Sequence, residues 1–181
     1  GKVFPPNSIQ PAWIYEGLAT LMESTETSQG GRLNSSQWEM MMRTAVLEDQ
    51  FEPVDVIAIG PLAWPHGTTY YLYGSWFIKY VTDTYGMDVM RQMSHDYGKA
   101  LLPFGINRTI REITGKTWME LYEEWFQAAK EEYSAVADEV LDRGVRQGMQ
   151  ITFTGEVDRS PRFSPDGRTL AYHSYDGHDR A

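Results

Sequence analysis

A change of texture near Gly144 constrains the fold of this chain more than any other feature of its sequence. Before it, apolar residues recur at helical spacing in successive segments, and glycines close them at Gly86, Gly98, Gly115 and Gly144. A glycine just past an apolar periodic run marks a helix C-terminus, because it enters the left-handed region at little cost. After Gly144, "ITFTGEV" and "TLAYHSY" are β-branched and aromatic. Their alternating style is that of strands, whose successive side chains point to opposite faces. The expectation is a mainly α fold with a short β tail. The boundary falls within 143–148, and the two parts span residues 1–142 and 149–181.

The helical segments can be placed in turn. Pro5, Pro6, Asn7 and Ser8 form an extended lead-in to "PAWIYEGLATLMES". Pro11 suits a first helical turn, where its missing N–H would have no partner. Trp13, Ile14, Leu18, Leu21 and Met22 follow at helical spacing. "STETSQGG" (Ser24–Gly31) is a polar loop, and a second helix is expected over Asn34–Asp49 behind capping residues. The stretch Phe51–Gly67, broken by Pro53, Gly60, Pro61 and Pro65, is a long connection with a short extended piece expected at Val54–Ile59. Helices follow over Thr68–Gly86 and Met87–Gly98, and a short one ends at Gly115. The longest begins at Thr117, which forms a capping box with Glu120, and Leu121, Trp125 and Ala128 mark its inner face.

The 181 residues, 41% of them hydrophobic, suit one ordinary globular domain with room for a small second piece. No apolar run approaches the roughly 20 residues that span a bilayer. Asp and Glu number 25 against 16 Lys and Arg, so the formal net charge is −9. Such a balance argues against nucleic acid or an anionic membrane as partner. The absence of cysteine excludes disulfides, thiolate-bound zinc and thiol nucleophiles, and leaves the compartment open. The first residues, "GKVFPPNS", contain no initiator Met and no charged-then-apolar leader. The chain is therefore expected to be a fragment or processed piece, on which a missing leader says little about location.

Two carboxylates stand out on the first helix. Glu16 and Glu23 are seven residues apart, about 20° short of two full turns, so both lie on one face. Gly17 weakens that helix by about 1 kcal/mol relative to Ala, but it lets another backbone come close. Taken as an isolated pair, Glu16-Gly17 is a half-buried acid held by an arginine beside a packing glycine. The surrounding pattern "W-x-x-E-G-x-A" (Trp13 to Ala19), followed by Glu23, points elsewhere. It resembles the second zinc-site helix of the gluzincin metallopeptidases, closest to the aminopeptidase-N-like and peptidase MA-like branches.

The resemblance implies that Glu16 is a zinc ligand and that Glu23 orients the histidine-bearing helix from behind the ligands. In the family an H-E-x-x-H helix supplies two histidines and a general base. Zn²⁺ takes imidazole and carboxylate ligands, and three of them leave one position for water. This chain contains no H-E-x-x-H. None of His66, His95, His173 and His178 stands at i, i+4 from another. The histidine helix is expected to lie outside the chain, which by itself should neither hold catalytic zinc tightly nor hydrolyse peptides. His66 reads as a solvated loop residue and His95 as surface.

"TYYLYGSWFIKYV" carries a second part of the resemblance. Tyr71, in "Y-x-x-G" ahead of an apolar helix, matches the aminopeptidase-N-like tyrosine whose hydroxyl donates to the tetrahedral oxyanion. A phenol is a neutral donor at pH 7 and can be aimed in advance. Tyr73 is the alternative if the register slips, and a role in packing is the alternative for both. The "ITGKTWMELYEEW" helices resemble the scaffold behind the site and are assigned no chemistry.

The tail "SPRFSPDGRTLAYHSYDGHDR" is similar to one blade of a TolB-like β-propeller. Asp166-Gly167 is its hairpin turn, and Leu170 and Tyr172 lie on one strand face. His173 and His178 then become strand or loop residues. A propeller needs several blades, so the blade is expected to be incomplete. Together the resemblances imply a fragment of a zinc-dependent peptidase acting on peptides or proteins, placed in the periplasm or at the cell surface, with a propeller able to recruit a protein partner. One alternative is a non-catalytic binding or scaffold module on a degenerate peptidase fold. Another is a helical docking protein without metal history, in which Glu16 faces solvent or is locked to an arginine.

Overall fold

The structure, a computed structural model, describes residues 7, 9–26, 30–61, 65–100, 104–153 and 157–175. Among these residues it is mainly helical, with one short antiparallel sheet at the C-terminal end. The chain divides into two compact units, Gly1–Val140 and Leu141–Ala181.

The first unit is built around two helices, α1 (Ala12–Glu26) and α4 (Thr69–Tyr85). Pro11 stands just before α1, and its carbonyl accepts the Ile14 N–H at 3.0 Å. Trp13, Ile14, Gly17, Thr20, Leu21 and Ser24 then recur every three or four residues and form the buried stripe. Helix α4 is buried over most of its length, through Leu72, Tyr73, Phe77, Ile78 and Val81. Helix α7 (Trp118–Asp142) lays Trp118, Leu121, Tyr122, Trp125, Ala129 and Tyr133 into the same core. Ala128, expected on that face, is only half-buried. The centre is aromatic: Phe77 stacks on Trp125 at 5.5 Å, and Trp13 meets Trp118 edge-on at 5.0 Å. Such pairs add about 0.5–1.5 kcal/mol beyond their buried area.

Helices α2 (Ser36–Leu47), α5 (Asp88–Lys99) and α6 (Ile106–Thr114) complete the unit. Gly115, at φ 82°, ends α6 in the left-handed conformation expected of it. The capping box is formed: Glu120 Oε2 accepts the Thr117 N–H and the Thr117 hydroxyl, each at 2.7 Å. The Glu120 N–H in turn donates to Thr117 Oγ1 at 3.3 Å.

Val54–Ile59 is not extended but helical, as α3. Its β-branched residues favour a strand, but among the described residues of this unit there is no strand to pair with. Pro53 stands at the helix start and Gly60, at φ 68°, at its end. Burial decides the outcome, because Val54, Ile57 and Ala58 share one face at helical spacing and pack on the core.

The second unit holds the hairpin β1 (Val157–Phe163) and β2 (Leu170–Tyr175), paired antiparallel from Val157–Tyr175 to Phe163–Leu170. The first strand lies later than expected. Ile151–Phe153 is not a strand, residues 154–156 lie outside the described residues, and Ser160–Phe163, between the two expected strands, is in β1. Pro161 has no N–H to donate to the ladder. The chain accommodates it with a bulge in which Ser160 (φ 57°) and Pro161 together face Tyr172. Asp166-Gly167 makes the turn, with Gly167 at φ 70° and its N–H donating to Ser164 O at 2.9 Å. No helix among the described residues is long and apolar enough to cross a membrane.

Candidate functional site at the crossing of α1 and α4

Helices α1 and α4 touch backbone to backbone. A Cβ on Gly17 would lie 2.4 Å from the carbonyl carbon of Gly74, and one on Gly74 would lie 2.3 Å from the carbonyl oxygen of Trp13. No real Cβ approaches so closely, so neither glycine can gain a side chain without parting the helices. Glu16 precedes the first glycine, and Tyr71 stands one turn before the second. The crossing therefore brings the "E-G" and "Y-x-x-G" motifs together.

Both side chains are half-buried. Partial burial raises the Tyr71 phenol above the ordinary tyrosine pKa, and the adjacent Glu16 carboxylate raises it further by its charge and by side-chain hydrogen bonding. The ring of Tyr70, at 4.7 Å, acts in the same direction. The phenol is thus a neutral donor at pH 7, held beside a carboxylate.

Glu23, exposed on the same face of α1, belongs to the same cluster. Its Oε2 accepts Arg32 Nη2 at 2.7 Å and Arg32 Nε at 3.2 Å. This hydrogen bonding holds the Glu23 carboxyl below its usual pKa. The arginine of the cluster is therefore committed to Glu23, while Glu16 faces the phenol. The Arg32 guanidinium also lies 4.9 Å from the Tyr71 ring centroid and 5.4 Å from that of Trp38. Sequence reasoning missed Arg32 and Trp38, because an arginine beyond a polar loop bears no periodic relation to the helix it serves.

Tyr73 is used elsewhere. Its ring is buried against Phe51 and Trp125. Its hydroxyl accepts the Glu52 N–H at 3.2 Å and donates to Gln50 O at 3.4 Å. Geometry thus separates the two tyrosines, leaving Tyr71 as the one beside Glu16.

His66 is exposed in a 3₁₀ turn, His95 contacts Asp96 at 3.0 Å on the surface of α5, and His173 is on β2 of the second unit. His178 lies outside the described residues. Among the described residues no three His, Asp or Glu side chains gather into a metal site. Catalytic zinc takes three protein ligands, and this cluster offers the carboxylate of Glu16. The residues present do not by themselves fit a zinc ion.

Among the described residues a cavity of about 180 Å³ lies beside Trp76, Tyr80 and Trp125, and another of about 420 Å³ beside Phe51 and Tyr73. Neither is lined by Glu16, Tyr71 or Arg32. Comparison with family models, with curated proteins and with solved structures finds no match for this chain.

Proposed function

We propose that this chain carries the glutamate-helix half of a zinc-dependent peptidase of the gluzincin type, acting on peptide or protein substrates. In this reading residues 1–142 are the helical C-terminal part of a peptidase MA-like domain, and residues 149–181 open a TolB-like propeller blade. One observation carries it: a crossing that only two glycines permit sets Glu16 beside Tyr71. A packing role alone gives no reason for a carboxylate and a phenol to share that point.

The chain's own residues have separable tasks. Glu16 presents a carboxylate from a rigid helix at its point of closest contact with a neighbour. Tyr71 presents an O–H donor to an oxyanion forming nearby, a contribution typically worth about 2.7–4 kcal/mol of barrier. Two histidines and a general base come from outside this chain. A periplasmic or surface location, and recruitment of a protein partner through the propeller, belong to the same proposal.

The test is zinc content and casein hydrolysis of the complete product of the encoding gene, compared with its Glu16→Gln and Tyr71→Phe variants. Glu16→Gln should lose zinc. Tyr71→Phe should keep zinc and lose about 10²–10³ in kcat. Unchanged zinc in Glu16→Gln would remove Glu16 from the site. A complete product without zinc or hydrolysis would favour the non-catalytic binding module.

A further inference from the structure

The segment that follows α1 is fastened to it. Ser24 Oγ donates to Thr20 O at 2.9 Å and accepts the Leu33 N–H at 3.1 Å. Asn34 Nδ2 donates to Ser24 O at 3.0 Å and to Gly30 O at 2.6 Å. Gly31, at φ 87°, passes so close that a Cβ there would lie 2.4 Å from Ser24 Cα. These contacts fix the backbone of the 3₁₀ turn Arg32–Asn34 against the end of α1.

From that turn the Arg32 side chain reaches three helices. It grips Glu23 of α1 through Nε and Nη2, and its guanidinium lies over the rings of Trp38 on α2 and Tyr71 on α4. Both ring distances are within the roughly 6 Å over which a cation is attracted to an aromatic face. Tyr71 needs such a constraint. It is half-buried, and an oxyanion donor must be held within about 0.5 Å of its working place. A planar guanidinium against the ring face limits its swing, which a lysine ammonium does not do.

We infer that Arg32 is a positioning residue, clamped by Glu23 and laid against Tyr71 so that the phenol stays beside Glu16. Glu23 then acts on the site through Arg32. The functional part of this inference rests on the reading of Tyr71 as a donor, but the geometric part can be measured without any hydrolysis.

The experiment is NMR on the full 181-residue chain, following cross-peaks between the Tyr71 ring and the Glu16 side chain, with Tyr71→Phe providing the assignment. Arg32→Gln should reduce those cross-peaks at least twofold, Arg32→Lys should restore them only in part, and the amide spectrum of the core should stay unchanged. Glu23→Gln, which leaves the cation in place, should produce a smaller loss and decides the matter if Arg32→Gln does not fold. Wild-type cross-peak intensity in the folded Arg32→Gln and Glu23→Gln variants would overturn the inference, showing the pair to be a surface tie and nothing more. A failed peptidase assay leaves this readout intact, so the two failures can be told apart.

Discussion

Gly17 and Gly74, from helices far apart in sequence, meet with their backbones in contact, each occupying space that a methyl group would need. Overpacking a fitted site costs about 1–3 kcal/mol, and here the obstacle is backbone, which cannot swing aside. Gly17→Ala and Gly74→Ala should each lower Tm by about 2–12 °C, taking about 2–4 °C per kcal/mol for a chain of this size. Gly148→Ala is the control, because a Cβ there meets nothing within 4 Å. A melting curve for each variant checks the expectation. An unchanged Tm in Gly17→Ala would mean that the helices do not cross at these residues.

What could be read from the sequence divides by range of interaction. Thr117 and Glu120 are three residues apart and their box is local, so the pattern foretold the bonds. The helical runs of α4 and α7 were legible for the same reason. The two glycine motifs could be seen singly, but their meeting joins residues 17 and 74 and depends on how two helices pack. Arg32 lies nine residues beyond Glu23 across a loop, a separation that no helical period marks. Val54–Ile59 was expected extended within a connection broken by prolines and glycines, whereas the burial of Ile57, which no local pattern shows, goes with a helix. The first strand was expected in the β-branched run from Ile151 to Val157, but β1 lies over Val157–Phe163 and holds Pro161 only by a bulge at Ser160, which no alternation of residue types marks.

Three buried phenols should make the fold sensitive to alkali. Burial raises Tyr73 and Tyr133 to about 12, and raises Tyr122 further still. The folded pKa values lie above the unfolded value near 10, so the unfolded chain gives up its protons first. The stability these neutral phenols contribute is fully present below about pH 10 and is lost as pH rises through about 12. Urea unfolding between pH 8 and 12 should show the decline, and Tyr133→Phe should make it shallower.

The Tyr122 hydroxyl donates to the Glu52 carbonyl at 2.6 Å, tying α7 to the segment ahead of α3. Removing it leaves a partly buried carbonyl without this donor, a loss of about 1–3 kcal/mol. Tyr122→Phe should therefore shift the urea midpoint downward at pH 7 with little change in slope. A midpoint equal to wild type would indicate that water replaces the hydroxyl at no cost.

The hairpin turn depends on Gly167, at φ 70°. A side chain in the left-handed region costs roughly 1–2 kcal/mol, which for an opening equilibrium is about a five- to thirty-fold change. The Ser164 N–H, which donates to Thr169 O at 2.8 Å across the turn, should exchange faster by about that factor in Gly167→Ala. Gly167→Asn should lie between, since Asn tolerates the left-handed region better than Ala. Equal exchange in all three would mean that the turn opens by some other route.

At the start of α7 the sign of the pH effect reverses. The backbone N–H and hydroxyl of Thr117 both donate to Glu120 and, with Arg111 nearby, hold its carboxyl at about 2. The folded pKa is below the ordinary 4.5, so the stability from this carboxylate is present above about pH 4.5 and is lost as pH falls through about 2. Glu120→Gln keeps an acceptor oxygen but removes the titrating charge, so it should flatten the loss of stability over that range in urea titrations. Thr117→Ala removes the cap hydroxyl and should cost about 0.5–2 kcal/mol at pH 7. If Glu120→Gln falls away with acid as steeply as wild type, the acid sensitivity of the helix lies in another carboxylate and the box is held by shape alone.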